Sequence, residues 1–459
     1  YDMRVDRPRR QVVFTHVGSD GLKIEKTYSL PDSAAEKAAA HTVEVAVRFS
    51  NTGSSALSRD DFYVNLGSIA PVHEQDLAMY TGFDYYSQGK DRFIDVNWFT
   101  PSRIPLIGIQ LRGARPEFSE EAPGLSWGAV KNQYFTTILS IDELDGVGVW
   151  AKRFEVALRE DGKAMPAITG AVQLPGFTLD PGEVHSENFN LYTGPNRYDW
   201  LSQLGAEQQA ILRYGFFKPV SLALLNALRF LHGILGGSYA LAIIALTVCI
   251  KLALWPLQNK ATRSMRRMAA LSPKMTELRE KYKDDPTRMN QELMKLYKEY
   301  GVNPFGGCLP LLIQLPIFLG FYTMLRSSVE LRNSSFLWVR DLSQPDTVFA
   351  LFGAIPVNPL PLVMAASMLW QMRITPKTGD SVQQRIFLFM PLIFLVFCYN
   401  FASALALYWT VSNLLSILQL YLTRDKPIPA LTKVDKQEPT PPRAAAPAGR
   451  RKRKRAGKR

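Results

Sequence analysis

The chain is 459 residues long, room for two or three domains, and its 47% apolar and 21% charged residues exclude both a disordered polymer and a chain buried wholly in lipid. Its net charge of +13 is concentrated: residues 424–459 hold 13 basic and 3 acidic groups, and residues 259–300 hold 11 and 6, leaving the remainder slightly acidic. Neither 304–325 nor 386–423 contains a charge, and the second run is about twice the 20 residues that cross a bilayer, which excludes a purely soluble enzyme.

Residues 1–200 read as β structure. Val43, Val45, Val47 and Phe49 alternate with polar or small residues, and Tyr134 to Leu139 and Val147 to Leu158 continue the pattern. Turn clusters at Asn51-Thr52-Gly53 and Asp180-Pro181-Gly182 separate the runs. The expected fold is an all-β sandwich of two antiparallel sheets; a transmembrane barrel is excluded because the segments are too few and too charged for an apolar outer band. A linker, 201–236, follows. Within it Phe217, Val220, Leu224, Leu228 and Leu231 repeat at helical spacing, with Lys218, Ser221, Arg229 and His232 on another face. This predicts a helix over 216–232 lying along a membrane surface, the alternative being a packed core helix.

Five spans are expected in 237–423, at about 237–257, 304–325, 355–373, 386–401 and 404–422, forming an all-α bundle. The basic 259–300 connection and the 424–459 tail belong in the cytoplasm, while 326–346, with three basic and three acidic residues, belongs outside. Five spans then place the β domain outside the cytoplasm. Because the chain opens at Tyr1 with neither Met nor an apolar stretch, a targeting segment is expected upstream. The connection itself is patterned. Met268, Leu271, Met275, Leu278 and Tyr282, then Met289, Leu293, Leu296 and Tyr300, recur at intervals of three and four, predicting an antiparallel helical hairpin with Asp285 as N-cap and Pro286 as first helical residue. Cys249, Cys308 and Cys398 all fall in apolar segments, so neither a disulfide framework nor a metal site is expected, and no cofactor.

Lys251 is the one ionisable group in the first span, and a charge at mid-membrane costs about 3 kcal/mol on insertion scales. It either snorkels to the cytoplasmic end near Pro256 or lies in a polar environment. Thr247, Lys251 and Gln258 share a helix face, Gln314 lies in the second span, and Tyr408, Ser412, Ser416 and Gln419 line one side of the last. Singly these read as interhelical hydrogen bonds; together they read as a hydrated cavity.

The run NPFGGCLPLLIQLPIFLGFYTMLRSSVELR from Asn303, FLWVRDLS from Phe336 and LYWTVSNLLSILQ from Leu407, with WGAVKNQYFTT from Trp127 and LYTGP from Leu191, resemble the YidC membrane-protein insertases. The resemblance covers the chain from the β domain to the last span. It implies five core transmembrane helices around a positively charged groove open to cytoplasm and lipid, a cytoplasmic hairpin and a periplasmic β-supersandwich, in an inner-membrane protein. The groove cation, usually Arg in that family, is here Lys251, which lacks the planar two-point contact Arg makes with a carboxylate. Thr247, Gln314, Tyr408 and Ser412 match polar or groove-lining positions, and Trp409 stands where a second Tyr is common. The implied function is non-enzymatic: nascent membrane proteins pass through the groove into the bilayer. Implied partners are the lipid bilayer, the ribosome and the Sec translocon, with the monomer as the working form. The hairpin residues Met268, Met275, Leu278 and Leu293 would support substrate or ribosome contact. Arg450, Arg451, Lys452, Arg453, Lys454 and Arg455 would contact ribosomal RNA or anionic lipid from a disordered tail. Two rivals remain. A solute or ion transporter predicts acidic coupling residues, absent from 237–257, 304–325 and 386–423; a membrane-anchored sugar-binding module or enzyme finds no GxSxG, HExxH or P-loop.

Overall fold

In the computed structural model the described residues are 1–31, 39–74, 76–103, 110–141, 146–157, 160, 162–303, 309–352, 355–376 and 381–423. The chain divides into two compact units, Tyr1–Ala253 with Ile313–Arg373 and Phe389–Ile417, and Leu254–Leu312 with Ile374–Leu388 and Leu418–Arg459.

The first unit begins with β1 (Asp2–Asp6), β2 (Gln11–Val17), β3 (Leu22–Ser29), β4 (Thr42–Asn51), β5 (Leu57–Ile69), β6 (Gly82–Ser87) and β7 (Lys90–Asp95). The short ladder of β8 (Ser102–Arg103) and β9 (Gln110–Arg112) follows, then β10 (Phe118–Lys131), β11 (Phe135–Ile141), β12 (Gly146–Ala157), β13 (Ala164–Leu179) and β14 (Val184–Pro195). Apart from β8 and β9, these form one antiparallel sheet in the order β1-β2-β3-β4-β14-β11-β10-β12-β13-β5, with β6 and β7 branching from β10. The two layers expected of a sandwich are present, because Phe49 of β4 meets Phe62 of β5 at 5.2 Å and Phe177 of β13 at 4.8 Å between ring centroids. They are not two separate sheets, however. β10 pairs with β12 along its first half, shifts register between Glu121 and Leu125, and continues between β6 and β11. A long strand that changes partners at a bulge makes the corner of a sandwich, and side-chain alternation carries no record of it.

Phe83, Val130, Val149, Ile168, Val172 and Leu174 are fully buried between the layers, each contributing about 1.5–3 kcal/mol of burial. Close approach matters as much at Gly176. A Cβ there would lie 2.0 Å from the Arg59 carbonyl oxygen and 2.1 Å from that of Asp60, backbone atoms held in the β13–β5 ladder. Gly176→Ala should therefore cost about 3 kcal/mol or more. Gly182, at φ 83° in the Asp180-Pro181-Gly182 turn with open space around it, should cost about 1 kcal/mol on the same change. Thermal unfolding of the purified chain compares the two; equal shifts would contradict the steric argument.

The stretch foreseen as linker is packed at its start. Trp127 donates its indole N–H to the Ala206 carbonyl at 2.8 Å, and Leu201, Ile211, Leu212 and Tyr214 share a buried cluster with Trp127 and Ile138. Lys131, itself buried, donates to the Ile211 carbonyl. Arg213 pairs with buried Asp84 at 3.2 Å and with Asp91 at 2.8 Å. Burial pushes Lys131 down to about 8, the field of Asp84 offsetting only part of it. Burial raises Asp84 against Arg213 and Lys131, so its share of stability falls as pH rises through its folded value. Lys131 works the other way: between about 8 and its unfolded value of 10.5 the unfolded chain holds the extra proton, and stability climbs with pH. Relative to Lys131→Met, the parent chain should gain up to about 1.4 kcal/mol per pH unit across that window, read from unfolding midpoints at pH 8 and pH 10.

The helices are α1 (Tyr198–Leu201), α2 (Lys218–Ile234), α3 (Tyr239–Ala270), α4 (Ser272–Lys281), α5 (Pro286–Glu299), α6 (Leu309–Ser327), α7 (Pro359–Ile374), α8 (Ser381–Cys398) and α9 (Ser403–Thr423). α2 buries Ser221, Leu224, Leu225 and Leu228. Ser221, expected on the polar face, shares a 2.6 Å hydrogen bond with Thr323 of α6, where Gly320 lets the helices approach so closely that a Cβ would stand 2.7 Å from Val220. This face is packed, but against α6 and not, as the alternative had it, in the core of the preceding β domain, while Phe230 and Ile234 stay exposed. Further bounds differ from expectation, among them α8, which is Ser381–Cys398 where a span at 386–401 was expected. α3 runs through Pro256 to Ala270, beyond the expected end at 257. Residues 355–357 are not helical but form β16 (Ile355–Val357), paired with β15 (Phe349–Leu351), because the residue before Pro359 is turned away from helical geometry and helices accept Pro at their start. Among the described residues, α3 and α9 are long and apolar enough to cross a membrane.

In the second unit Met268, Leu271, Met275, Leu293, Leu296 and Val302 form a buried cluster edged by Leu278, Met289, Tyr297 and Tyr300. The expected seam is present, capped as foreseen by Asp285, which accepts from the Arg288 amide at 3.0 Å. Its first helix is broken, since Met268 lies in the last turn of α3 while Met275 and Leu278 lie on α4. Pro273 in the first turn of α4 cannot donate and restarts the helix. Tyr282 stands outside the cluster, its ring under the guanidinium of Arg288 at 5.3 Å.

Candidate functional site

In the first unit α3, α6 and α9 bring polar groups together inside an otherwise apolar cluster. Residues four apart on a helix share a face, so Thr247 and Lys251 of α3, and Tyr408, Ser412 and Ser416 of α9, form two short polar columns. Lys251 is 7% exposed and donates to the Ser416 hydroxyl at 2.8 Å; Ser416 in turn donates to the Ser412 carbonyl at 2.9 Å. Among the described residues no carboxylate lies within ion-pair distance of it. The ammonium is thus held by a hydroxyl of a neighbouring helix. Gln314 of α6 donates to the Tyr408 hydroxyl at 2.6 Å, and the Tyr408 ring stacks on Phe321 at 4.1 Å.

Not every expected residue joins this group. Thr247 is buried and donates to the Ile243 carbonyl one turn back, a bond within its own helix. Trp409 faces away, packed between Phe318 at 4.6 Å and Phe394 at 4.7 Å. Asn413, outside the expected set, donates to the Ser367 hydroxyl of α7 at 2.9 Å; an amide in a long uncharged run was the available signal. In the second unit Gln419 bonds Asn259 at 2.8 Å, the neighbour of the expected Gln258, and Arg266 donates to the terminal Thr423 carbonyl of α9 at 2.6 Å, where cations suit the helix dipole. Arg450, Arg451, Lys452, Arg453, Lys454 and Arg455 lie outside the described residues.

Elsewhere the first unit joins its β region to its helices. Gln133 donates to the Arg326 carbonyl at 3.0 Å, and the Arg326 guanidinium stacks on Tyr80 at 4.6 Å beside a cavity of about 50 Å³. Arg229 of α2 bonds Asp199 at 3.0 Å and Glu330 at 2.5 Å. Burial works against its charge, but the bond and field of Glu330, with Asp199, outweigh that and raise its pKa above the ordinary value.

Fold and site define a class: a membrane protein with a folded all-β domain and apolar helices that bury one cation among neutral polar groups. A family model described as YidC periplasmic domain matches residues 1–225, and one described as 60Kd inner membrane protein matches residues 230–429. The membrane protein insertase YidC of Syntrophus aciditrophicus is 32% identical over 423 residues, 92% of this chain and 70% of that protein. The chain belongs to the YidC family of membrane-protein insertases. The corresponding protein of Pelobacter propionicus is 32% identical, covering 91% of this chain and 72% of its own; that of Geobacter sp. (strain M21) is 37% identical over 65% of this chain and 53% of its own. A solved structure described as an active YidC insertase with the first transmembrane domain resolved is 20% identical, covers 84% of this chain and 93% of that one, and superposes with a TM-score of 0.38.

Proposed function

We propose that the chain inserts nascent membrane proteins into the inner membrane without nucleotide hydrolysis, and that Lys251 is the charge that receives them. The observation that carries this is a buried ammonium whose partner is a neutral hydroxyl, Ser416. A lysine paired with a carboxylate has its field cancelled, whereas one held by hydroxyls keeps a net charge for an incoming group. A polar or acidic tail of a nascent protein enters beside Lys251, Ser412 and the Gln314–Tyr408 pair, while its apolar segment passes between helices into lipid. Helices α3, α6, α7, α8 and α9 form the five-span core, and Thr247 and Trp409 support it by packing.

Charge bias orients the core: the hairpin segment and the tail, the two basic regions, lie in the cytoplasm, and the β domain lies in the periplasm. The hairpin receives substrate, and the tail from Arg450 contacts the ribosome or anionic lipid. The protein works as a monomer, alone or beside the Sec translocon. A photo-crosslinking residue at Ser412 in reconstituted vesicles should capture a small single-span substrate during insertion, and one at exposed Leu422 should not. Insertion accompanied by crosslinks at Leu422 alone would overturn the reading.

A further inference from the structure

The ladder of β15 and β16 has no place in the insertion step. Phe349 stands opposite Val357, Ala350 opposite Pro356 and Leu351 opposite Ile355. Its apolar side chains are uncovered: Val348 is 54% exposed, Phe349 55%, Leu351 44% and Phe352 91%. Phe352 is also held at φ 53°, in the left-handed region that disfavours an aromatic residue. No charged residue stands between Asp346 and Arg373. A two-stranded ladder carrying aromatic groups into water is marginal, and an apolar patch of this kind marks a contact surface.

The mount of the ladder is rigid. Thr347 donates to the Asn358 side-chain oxygen at 2.7 Å, Asn358 donates to the Tyr399 carbonyl at 2.8 Å, and the Tyr399 hydroxyl donates to the Pro356 carbonyl at 2.6 Å. Asp346, buried, accepts from the Leu360 amide in the first turn of α7 at 2.6 Å and from the Trp338 indole at 3.0 Å. The ladder is thereby fixed to the start of α7, with half-exposed Trp338 beside it.

Length identifies what covers it. α7 has 16 residues, roughly 24 Å of helix, against a hydrocarbon core of about 30 Å. The helix is too short to cross alone, and the uncharged ladder at its outer end supplies the missing apolar length. Leu362 and Val363, in the first turns of α7, are exposed as well. We propose that the β15–β16 hairpin is an interfacial anchor that places Val348, Phe349, Leu351 and Phe352 in the outer leaflet, at the boundary of headgroups and acyl chains, with Trp338 marking its depth. By this contact it sets the height of α7. The inference rests on the proposed membrane core, in which α7 spans with its first turn outside.

The test uses the full chain with Cys249, Cys308 and Cys398 changed to Ala, in phosphatidylcholine–phosphatidylglycerol vesicles. A single cysteine is introduced as Phe352→Cys, Val363→Cys or Val184→Cys and labelled with an environment-sensitive fluorophore. The label at 352 should be blue-shifted and quenched most by lipid brominated high on the acyl chain, that at 363 by lipid brominated lower, and that at 184 in the β domain by neither. If 363 is quenched while 352 behaves like 184, the anchor is overturned and the core stands. If 363 too is unquenched, α7 does not meet lipid and the core itself fails. Shielding at 352 that grows with the ratio of protein to lipid, without bromine quenching, assigns the surface to a second copy and overturns the anchor.

Discussion

Replacing Lys251 by Ala should slow insertion of a protein with an acidic tail by about a hundredfold, the rate equivalent of the roughly 3 kcal/mol that a carboxylate costs at mid-membrane. In the proposed mechanism the buried ammonium lowers that cost. It is held by Ser416, a partner that leaves its charge uncancelled. Lys251→Arg should stay within a few-fold of the parent, since charge sign and reach are kept, while Lys251→Glu should be worse than Ala because it repels the tail. A substrate whose tail is uncharged should be nearly indifferent to all three. The measurement is protease protection of the translocated tail in reconstituted vesicles, and parent rates for the Ala variant with an acidic tail would remove the electrostatic step. Ser416→Ala is expected to act in the same direction but less strongly, because it removes one hydrogen bond and leaves the charge.

Leu293→Asp should separate the two helices of the α4–α5 hairpin. Leu293 is buried with Met268, Leu271, Met275 and Leu296 in a cluster of few side chains. Truncating such a leucine costs about 2–5 kcal/mol, and a carboxylate left there adds its desolvation. A small two-helix seam has little else to hold it. Trypsin should then cut readily around Lys281 and Lys283, between α4 and α5. Leu278→Asp, at the edge of the cluster, should show a smaller effect, and Met294→Asp, at a side chain 47% exposed, almost none. Unchanged resistance in the Leu293 variant would show that the seam does not hold α4 and α5 together.

The features legible in the sequence are those set by near neighbours in the chain. The alternation from Val43 to Phe49 is β4, the Asp180-Pro181-Gly182 turn places Gly182 at positive φ, and Asp285 caps α5 through an amide three residues on. The last span falls within a residue of α9. Periodicity misled where two elements share one rhythm: Met268 to Met275 keeps helical spacing straight across the break at Leu271. It also carried the third span too far back, through residues that pair as β16.

Composition, period and charge bias, all additive along the chain, were enough to specify a β domain, apolar helices, a basic hairpin and a solitary lysine in an apolar run. Which groups meet was decided by tertiary structure alone. Only the packing of α3 against α9 gives Lys251 a hydroxyl, only α6 brings Gln314 to Tyr408, and α6 and α8 together set Trp409 between two phenyl rings. A single strand, β10, makes one sheet of two layers. Such pairings depend on residues tens to hundreds of positions apart, and the local preferences that a sequence displays carry no term for them.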